Sequence, residues 1–192
     1  MRRITTAVRQ HPARTFIILL GGIIAMTLFG LSRGSDSGAL KVGQTAPDFS
    51  LRDQENRVQR LADYRGQWVV LYFYPKDDTP GCTTEACNFR DDIHLLHRLN
   101  AQVLGVSIDS TESHEEFAEK YHLPFPLLAD REGNVSAQYG ARFSLGPVQF
   151  SKRHTFLIDP DGRIARIYRE VKPKQHSSRV IDALEALREE PG

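Results

Sequence analysis

The sequence predicts an α/β fold with a central mixed β-sheet flanked by helices, and three observations predict it. Segments of strand character alternate with segments of helical period along most of the chain. Two of the strands, WVVLYFYP (68–75) and QVLGVSID (102–109), are almost uninterrupted apolar, β-branched and aromatic runs, the mark of strands covered on both faces. Late in the chain, HTFLID and RIARIYRE flank Pro160-Asp161-Gly162, a type I turn sequence, so they form a hairpin that closes the sheet.

The other elements follow in order. Asp48-Phe-Ser-Leu and Arg57-Val-Gln-Arg-Leu, separated by DQEN, read as a short hairpin. After the first buried strand a long helix is expected over 80–100, with Phe89, Ile93, Leu96 and Leu99 on one stripe. After the second, Ser110 or Thr111 can cap a helix running to about residue 122, with Glu112, Glu115 and Glu116 near its positive end. PLLAD (126–130) is a short strand and 134–139 a helical turn. Residues 177–189 make the last helix, with Val180, Ile181, Leu184 and Leu187 facing inward. The order β-α-β-α-β-α-β-β-α is that of a thioredoxin-like fold with an insertion.

The first segment departs from this pattern. FIILLGGIIAMTLFGL (16–31) is sixteen residues without a charge, preceded by Arg2, Arg3, Arg9 and Arg14. At about 1.5 Å per residue it spans roughly 24 Å, somewhat short of a hydrocarbon core of about 30 Å. Gly30-Leu31-Ser32 is a poor cleavage site, and Arg2-Arg3 is badly placed for a twin-arginine signal. The reading is an uncleaved N-terminal transmembrane anchor, with a cleaved signal and a secreted form as the alternative. The arginine bias then puts the N-terminus in the cytoplasm and the domain on the periplasmic, extracytoplasmic side. The chain divides into a basic segment (1–15), an apolar helix serving as anchor or signal (16–32), a small polar linker (33–39) and a folded domain (40–192).

Composition narrows the function. The formal net charge is +1, without a long single-sign run, so nucleic acid is not expected as a partner. Hydrophobic residues make up 40% and charged residues 26%, enough apolar content for a real core. Two cysteines are too few for a disulfide-stapled mini-fold.

Both cysteines lie in YFYPKDDTPGCTTEACNFRD (72–91), where strand becomes helix. Thr79 suits the N-cap and Pro80 the first helical position, so Cys82 falls in the first turn, among unpaired N–H groups at the positive end of the dipole. That placement favours the thiolate, the nucleophilic form. Gly81 lets a reactant approach the backbone closely. Cys87 is five residues on, about 8.6 Å away in an ideal helix, whereas a disulfide needs less than about 7 Å. The spacing is poor for a permanent staple and usable for a transient bond formed once the helix start unwinds. Inert buried cysteines are the bland reading. A zinc site is poorer, since Cys82 and His94 stand about 18 Å apart at helical rise, and His94 and His97 read as solvated or interfacial. Glu85 reads as a first-turn carboxylate favoured by the dipole.

Pro75, Thr79 and Cys82 spell P-x-x-x-T-x-x-C, which resembles the active-site motif of the peroxiredoxins. The run from Pro75 to Cys87 resembles the bacterioferritin comigratory protein or peroxiredoxin Q subfamily almost residue for residue. So do Val42-Gly-x-x-Ala-Pro-Asp-Phe, Gly105-Val-Ser and Arg153-x-Thr-Phe-Leu-Ile-Asp. The resemblance covers about 40–187. It implies a thioredoxin-like fold and thiol-dependent reduction of hydrogen peroxide and organic hydroperoxides, without metal or other cofactor, in a monomer regenerated by thioredoxin or another dithiol reductant. Carried over by position, Cys82 is the peroxidatic cysteine and Cys87 the resolving one. Thr79 bonds thiolate and peroxide, Pro75 shields the pocket, and Arg153 sets a positive charge beside the sulfur. An apolar N-terminal segment is a departure, because a domain outside the cytoplasm would need a donor other than cytosolic thioredoxin. Two other readings share the fold. A membrane-anchored thiol–disulfide oxidoreductase would need C-x-x-C, and a copper chaperone would need C-x₃-C with a distant histidine such as His154.

Overall fold

The computed structural model describes residues 39–189. Nine strands and five helices follow one another in it: β1 (Ser50–Arg52), β2 (Val58–Arg60), β3 (Trp68–Phe73), α1 (Pro80–Asp91), α2 (Ile93–Arg98), β4 (Ala101–Ser107), α3 (Thr111–Tyr121), β5 (Leu127–Ala129), α4 (Asn134–Gln138), β6 (Arg142–Leu145), β7 (Val148–Ser151), β8 (His154–Ile158), β9 (Ile164–Tyr168) and α5 (His176–Glu189). Seven strands form one sheet in the order β2-β1-β5-β4-β3-β8-β9. β3 pairs with β4 and β4 with β5 in parallel, while β8 joins β3 antiparallel and β9 joins β8 antiparallel. This is the mixed, helix-flanked sheet of a thioredoxin-like fold.

β3 lies inside the sheet, between β4 and β8, and both its faces are apolar. Val70 and Tyr72 point with Tyr74 into one core, which they share with Cys82, Ala86 and Phe89 of α1, Phe117 of α3 and Val180 and Leu184 of α5. Val69, Leu71 and Phe73 point into the other, with Leu104, Val106, Tyr139 and Phe156. The alternation is that of a strand with period two. Gly105 on β4 leaves room for the Tyr72 ring: a Cβ there would lie 2.8 Å from the Tyr72 hydroxyl and 2.9 Å from Leu127.

The structure corrects the expected elements at three points. The single helix over 80–100 is two, because the chain leaves helical geometry at Asp92 (φ −94°, ψ 4°) before α2 begins. An unexpected hairpin, β6–β7, stands apart from the main sheet, turning at Gly146 (φ 58°) and Pro147 with Phe143 stacked on Phe150 at 4.6 Å. The third concerns the membrane. The anchor or signal at 16–32 lies outside the described residues, and among the described residues no helix is long and apolar enough to cross a membrane. The longest, α5 with 14 residues, reaches about 21 Å at about 1.5 Å per residue and carries charges along its length. The anchored, extracytoplasmic placement is not supported.

Candidate active site

β3 ends where the chain must turn from sheet to helix, and this turn is held rigidly. The buried Asp77 carboxylate accepts from the Tyr74 hydroxyl (2.8 Å) and Ser113 Oγ (2.7 Å) and meets His114 Nδ1 at 2.8 Å. Its own N–H donates to Asp109 Oδ2 at 2.9 Å. Asp78 takes a left-handed conformation (φ 53°) and receives Lys120 Nζ and the Tyr121 hydroxyl, each at 2.6 Å. Two consecutive loop residues are thus tied to α3, or to the strand end beside it.

α1 starts from this fixed loop. Thr79 is the N-cap in extended geometry and Pro80 opens the helix. The Thr79 hydroxyl makes no cap bond; it donates to the Lys76 carbonyl at 3.1 Å. Cys82 follows in the first turn with its side chain buried, only 1% exposed. The buried residues of α1 are Cys82, Glu85, Ala86 and Phe89, the i, i+3, i+4, i+7 stripe of an inward face. A carboxylate therefore sits in the apolar stripe.

Arg153 answers it. β8 pairs with β3 in the register Tyr72↔Thr155 and Phe73↔His154, so Arg153 arrives beside the end of β3, where the loop to α1 begins. With Thr155 and Leu157 it lies on the α1 and α5 side of the sheet. Its Nη1 donates to Glu85 Oε2 and its Nη2 to Cys82 Sγ at 3.3 Å. One planar fork thus holds a carboxylate and a sulfur together. The glycine at 81 makes room for it, since a Cβ there would lie 3.1 Å from Nη2. Behind Glu85 stands His176, whose Nε2 is 3.9 Å from Oε1 and 2.8 Å from Thr155 Oγ1.

The charges follow from these contacts. Burial pushes the Glu85 carboxyl up to about 7, against the pull of Arg153. Burial also works against the Arg153 charge, but Glu85 and Cys82 outweigh it and hold the guanidinium firmly protonated. His176 is pushed down to about 4, by burial first and then by Arg179 and Arg153, so it is neutral near pH 7. The Tyr72 phenol is held protonated by burial, with Glu85 and Cys82 adding to the effect, and its hydroxyl has no hydrogen-bond partner among the described residues.

A buried cysteine in the first turn of a helix, forked to an arginine from a neighbouring strand, lies within a sequence match to the AhpC/TSA family over residues 42–167. The chain belongs to the AhpC/TSA family. It is a peroxiredoxin, a thiol peroxidase of the oxidoreductase class. It is 44% identical over 154 residues to peroxiredoxin Bcp of Bacillus subtilis, a match covering 78% of this chain and 96% of that one. It is 38% identical over 159 residues to the chloroplastic peroxiredoxin Q of Sedum lineare (82% and 85% covered). Among solved structures, peroxidoxin BcpB of Mycobacterium tuberculosis is similar at a TM-score of 0.74 and 37% identity, covering 78% of this chain and 99% of that one. The bacterioferritin comigratory protein of Xanthomonas campestris, whose structures concern its alkyl peroxide reduction activity, gives 0.71 and 32% (77% and 99% covered). The Bacillus relative is almost fully accounted for by the aligned residues, which leaves little length in it for a counterpart of an anchor.

Within this peroxiredoxin the structure brings Cys82, Arg153 and the half-buried Pro75 and Thr79 to one end of β3. Cys87 shares the unbroken helix with Cys82, and both are free thiols, Cys87 half-buried off the inward stripe. Sequence reasoning missed Glu85 as the carboxylate that shares Arg153 with the sulfur, His176 behind that carboxylate, and the Asp77–His114 tie. The signal for Glu85 was its place three residues after Cys82, inside the stripe ending at Phe89. His154 is buried next to Arg153 in sequence and pushed down to about 4 by burial and then Arg169 and Lys152. Among the described residues no three His, Cys, Asp or Glu side chains cluster as a metal site.

Proposed function

We propose that Cys82 is the peroxidatic cysteine, Cys87 the resolving cysteine, and Arg153, Thr79 and Pro75 the groups that make Cys82 fast toward hydrogen peroxide and organic hydroperoxides. The observation that carries this is the Arg153 fork, with Nη2 at 3.3 Å from Cys82 Sγ and Nη1 on the buried Glu85. A cation at hydrogen-bond range of the sulfur is in position to stabilise the negative charge that moves during the attack. The Cys82 thiolate attacks the terminal peroxide oxygen: an S–O bond forms as the O–O bond breaks, the sulfur stays on the chain as sulfenic acid, and the alkoxide or hydroxide released takes a proton from solvent and departs as alcohol or water. Arg153 stands where negative charge develops on the leaving oxygen. Because the Thr79 hydroxyl spends its proton on the Lys76 carbonyl, its lone pairs face an incoming peroxide O–H as acceptors. Pro75 supplies half-buried apolar cover at the mouth.

The Cys87 thiol then condenses with the sulfenic acid, forming the disulfide and releasing water. The first turns of α1 must unwind for this, since ideal geometry keeps the two residues about 8.6 Å apart. A thioredoxin-like dithiol donor exchanges with that disulfide, restores both thiols and leaves as its own disulfide. The test is intact mass of the full reduced chain after one equivalent of hydrogen peroxide. Wild type should lose two hydrogens rapidly; Cys87→Ser should carry sulfenic or higher acids on Cys82; Cys82→Ser should be inert. Reaction no faster than a free thiol in the wild type would sink the reading.

A further inference from the structure

Glu85 lies between the two cysteines, inside the stretch of α1 that must lose helical geometry before one sulfur can reach the other. That geometry sets its place: the stripe of Cys82, Glu85, Ala86 and Phe89 faces inward only while these residues stay in helical phase. Its partner does not travel with it. Arg153 immediately precedes β8, which keeps five consecutive pairs with β3. The fork therefore holds α1 by two residues at once, Cys82 through Nη2 and Glu85 through Nη1. Unwinding pulls both away from it, and the carboxyl passes from a closed pocket into water.

The two settings suit different forms of Glu85. In the pocket Oε2 accepts from Arg153, but Oε1 is buried with no hydrogen-bond partner among the described residues. The other titratable groups that face it supply no second cation. His176 of α5 is neutral near pH 7, and its Nε2, 3.9 Å from Oε1, is engaged with Thr155 Oγ1 at 2.8 Å. Tyr72 of β3 presents a protonated phenol, and Cys82 of α1 shares the same Arg153. A buried oxygen without a donor is costly as an anion and far less so as a carboxyl, whereas water suits the anion.

We propose that Glu85 is the latch of α1: protonated, it holds the helix closed over the Cys82 sulfenic acid, and ionised, it lets the first turns open, so that its ionisation sets the rate at which Cys87 resolves that acid. The proposal rests on the cysteine roles proposed above, and the covalent step is unchanged. Cys87 sulfur displaces the hydroxyl from Cys82 sulfur, the S–S bond forms as the S–O bond breaks, and the hydroxyl leaves with the thiol proton as water. The proton released by Glu85 goes to solvent. Opening moves the carboxyl from about 7 to an ordinary 4.5, so the protonated latch holds in full below about pH 4.5 and its hold is lost as pH rises through about 7.

The experiment mixes the full reduced chain, wild type or Glu85→Gln, with one equivalent of hydrogen peroxide in a quenched-flow instrument at intervals from about pH 5 to 8.5. Intact mass follows two steps separately: the gain of one oxygen on Cys82, then the loss of water as the disulfide forms. Glutamine keeps the shape and cannot ionise. Ionisation of Cys87 acts in both proteins and cancels in their ratio. The wild-type-to-variant ratio of second-step rates should rise about 50-fold from about pH 5 to 7.5 and then level off. A ratio that is the same at every pH, as a merely structural Glu85 would give, overturns the inference, and so does a ratio that falls with pH. Should the variant not fold, the wild type decides alone: the logarithm of its second-step rate should climb more steeply below about pH 7 than above it. A profile without that bend overturns the inference too. Under any of these results a rapid first step leaves the peroxidase reading standing, whereas no oxygen gained on Cys82 in the wild type removes both.

Discussion

Replacing Glu85 by glutamine removes one negative charge from beside Arg153 and keeps nearly the same shape. The wild-type carboxyl is wholly buried and is pushed up to about 7 from an ordinary 4.5, with burial the larger cause and Arg153 opposing it. The folded protein thus binds this proton more tightly than the unfolded chain does. The stability it contributes is complete below about pH 4.5 and is lost as pH rises through about 7. The gap between 4.5 and about 7, at about 1.4 kcal/mol per tenfold in proton affinity, comes to about 3 kcal/mol. Glutamine does not titrate, so the variant lacks this loss. The assay is urea unfolding of the reduced wild type and Glu85→Gln at intervals from about pH 4 to 9, extrapolated to water. His154 and His176, both held near 4 by burial, cost stability as pH falls from 6.5 toward 4. They are present in both proteins and largely cancel in the difference. Wild type minus variant should fall by about 3 kcal/mol across the range. A difference independent of pH would mean that Glu85 keeps an ordinary ionisation. A difference that rises with pH would mean that the Arg153 pair, not burial, governs the carboxyl, and the reasoning would be refuted.

Three further outcomes are expected. Arg153→Lys places one ammonium where a fork now spans sulfur and carboxylate, so the second-order rate with hydrogen peroxide should drop by about 100-fold; a change within about threefold in quenched mass kinetics would show that the fork is not used. Gly105→Ala puts a methyl 2.8 Å from the Tyr72 ring and 2.9 Å from Leu127, and should cost about 1–3 kcal/mol, seen as a thermal midpoint several degrees lower. Asp77→Ala removes the acceptor shared by the Tyr74 hydroxyl, Ser113 and the buried His114, leaving Tyr74 and His114 only their 3.4 Å contact with each other, and should cost about 2–4 kcal/mol in urea unfolding, so a loss under about 0.5 kcal/mol would show that the tie is dispensable.

The central sheet was readable because β3 and β4 must be covered on both faces and their composition shows it. The break at Asp92 was not, because the helical stripe continues through Ile93 and Leu96 and no glycine or proline marks the interruption. The β6–β7 hairpin left a signal, Gly146-Pro147 between Phe143 and Phe150, but its strands are four residues each and outside the main sheet, so little apolar pattern supports them. Cys82 was legible locally, from proline, helix start and position. Arg153 lies 71 residues away, and sheet pairing, not spacing, brings it in, so only the family motif pointed to it. Glu85 was misread because one residue at a helix start can serve the dipole or face the core, and only the stripe decides between them.

The pairing of β8 with β3 has a consequence for how this chain can change length. Arg153, Thr155 and Leu157 share one side of the sheet, while His154, Phe156 and Ile158 take the other. Five consecutive partners, from Val69↔Ile158 to Phe73↔His154, keep that phase. One residue gained or lost between 153 and 157 would send the guanidinium to the wrong side of the sheet and strip the sulfur of its cation, whatever the rest of the sequence preserved. The β6–β7 tip at Gly146-Pro147 is under no such constraint, since it pairs only with itself. Insertions and deletions among related chains should therefore collect at that tip and stop short of residue 153.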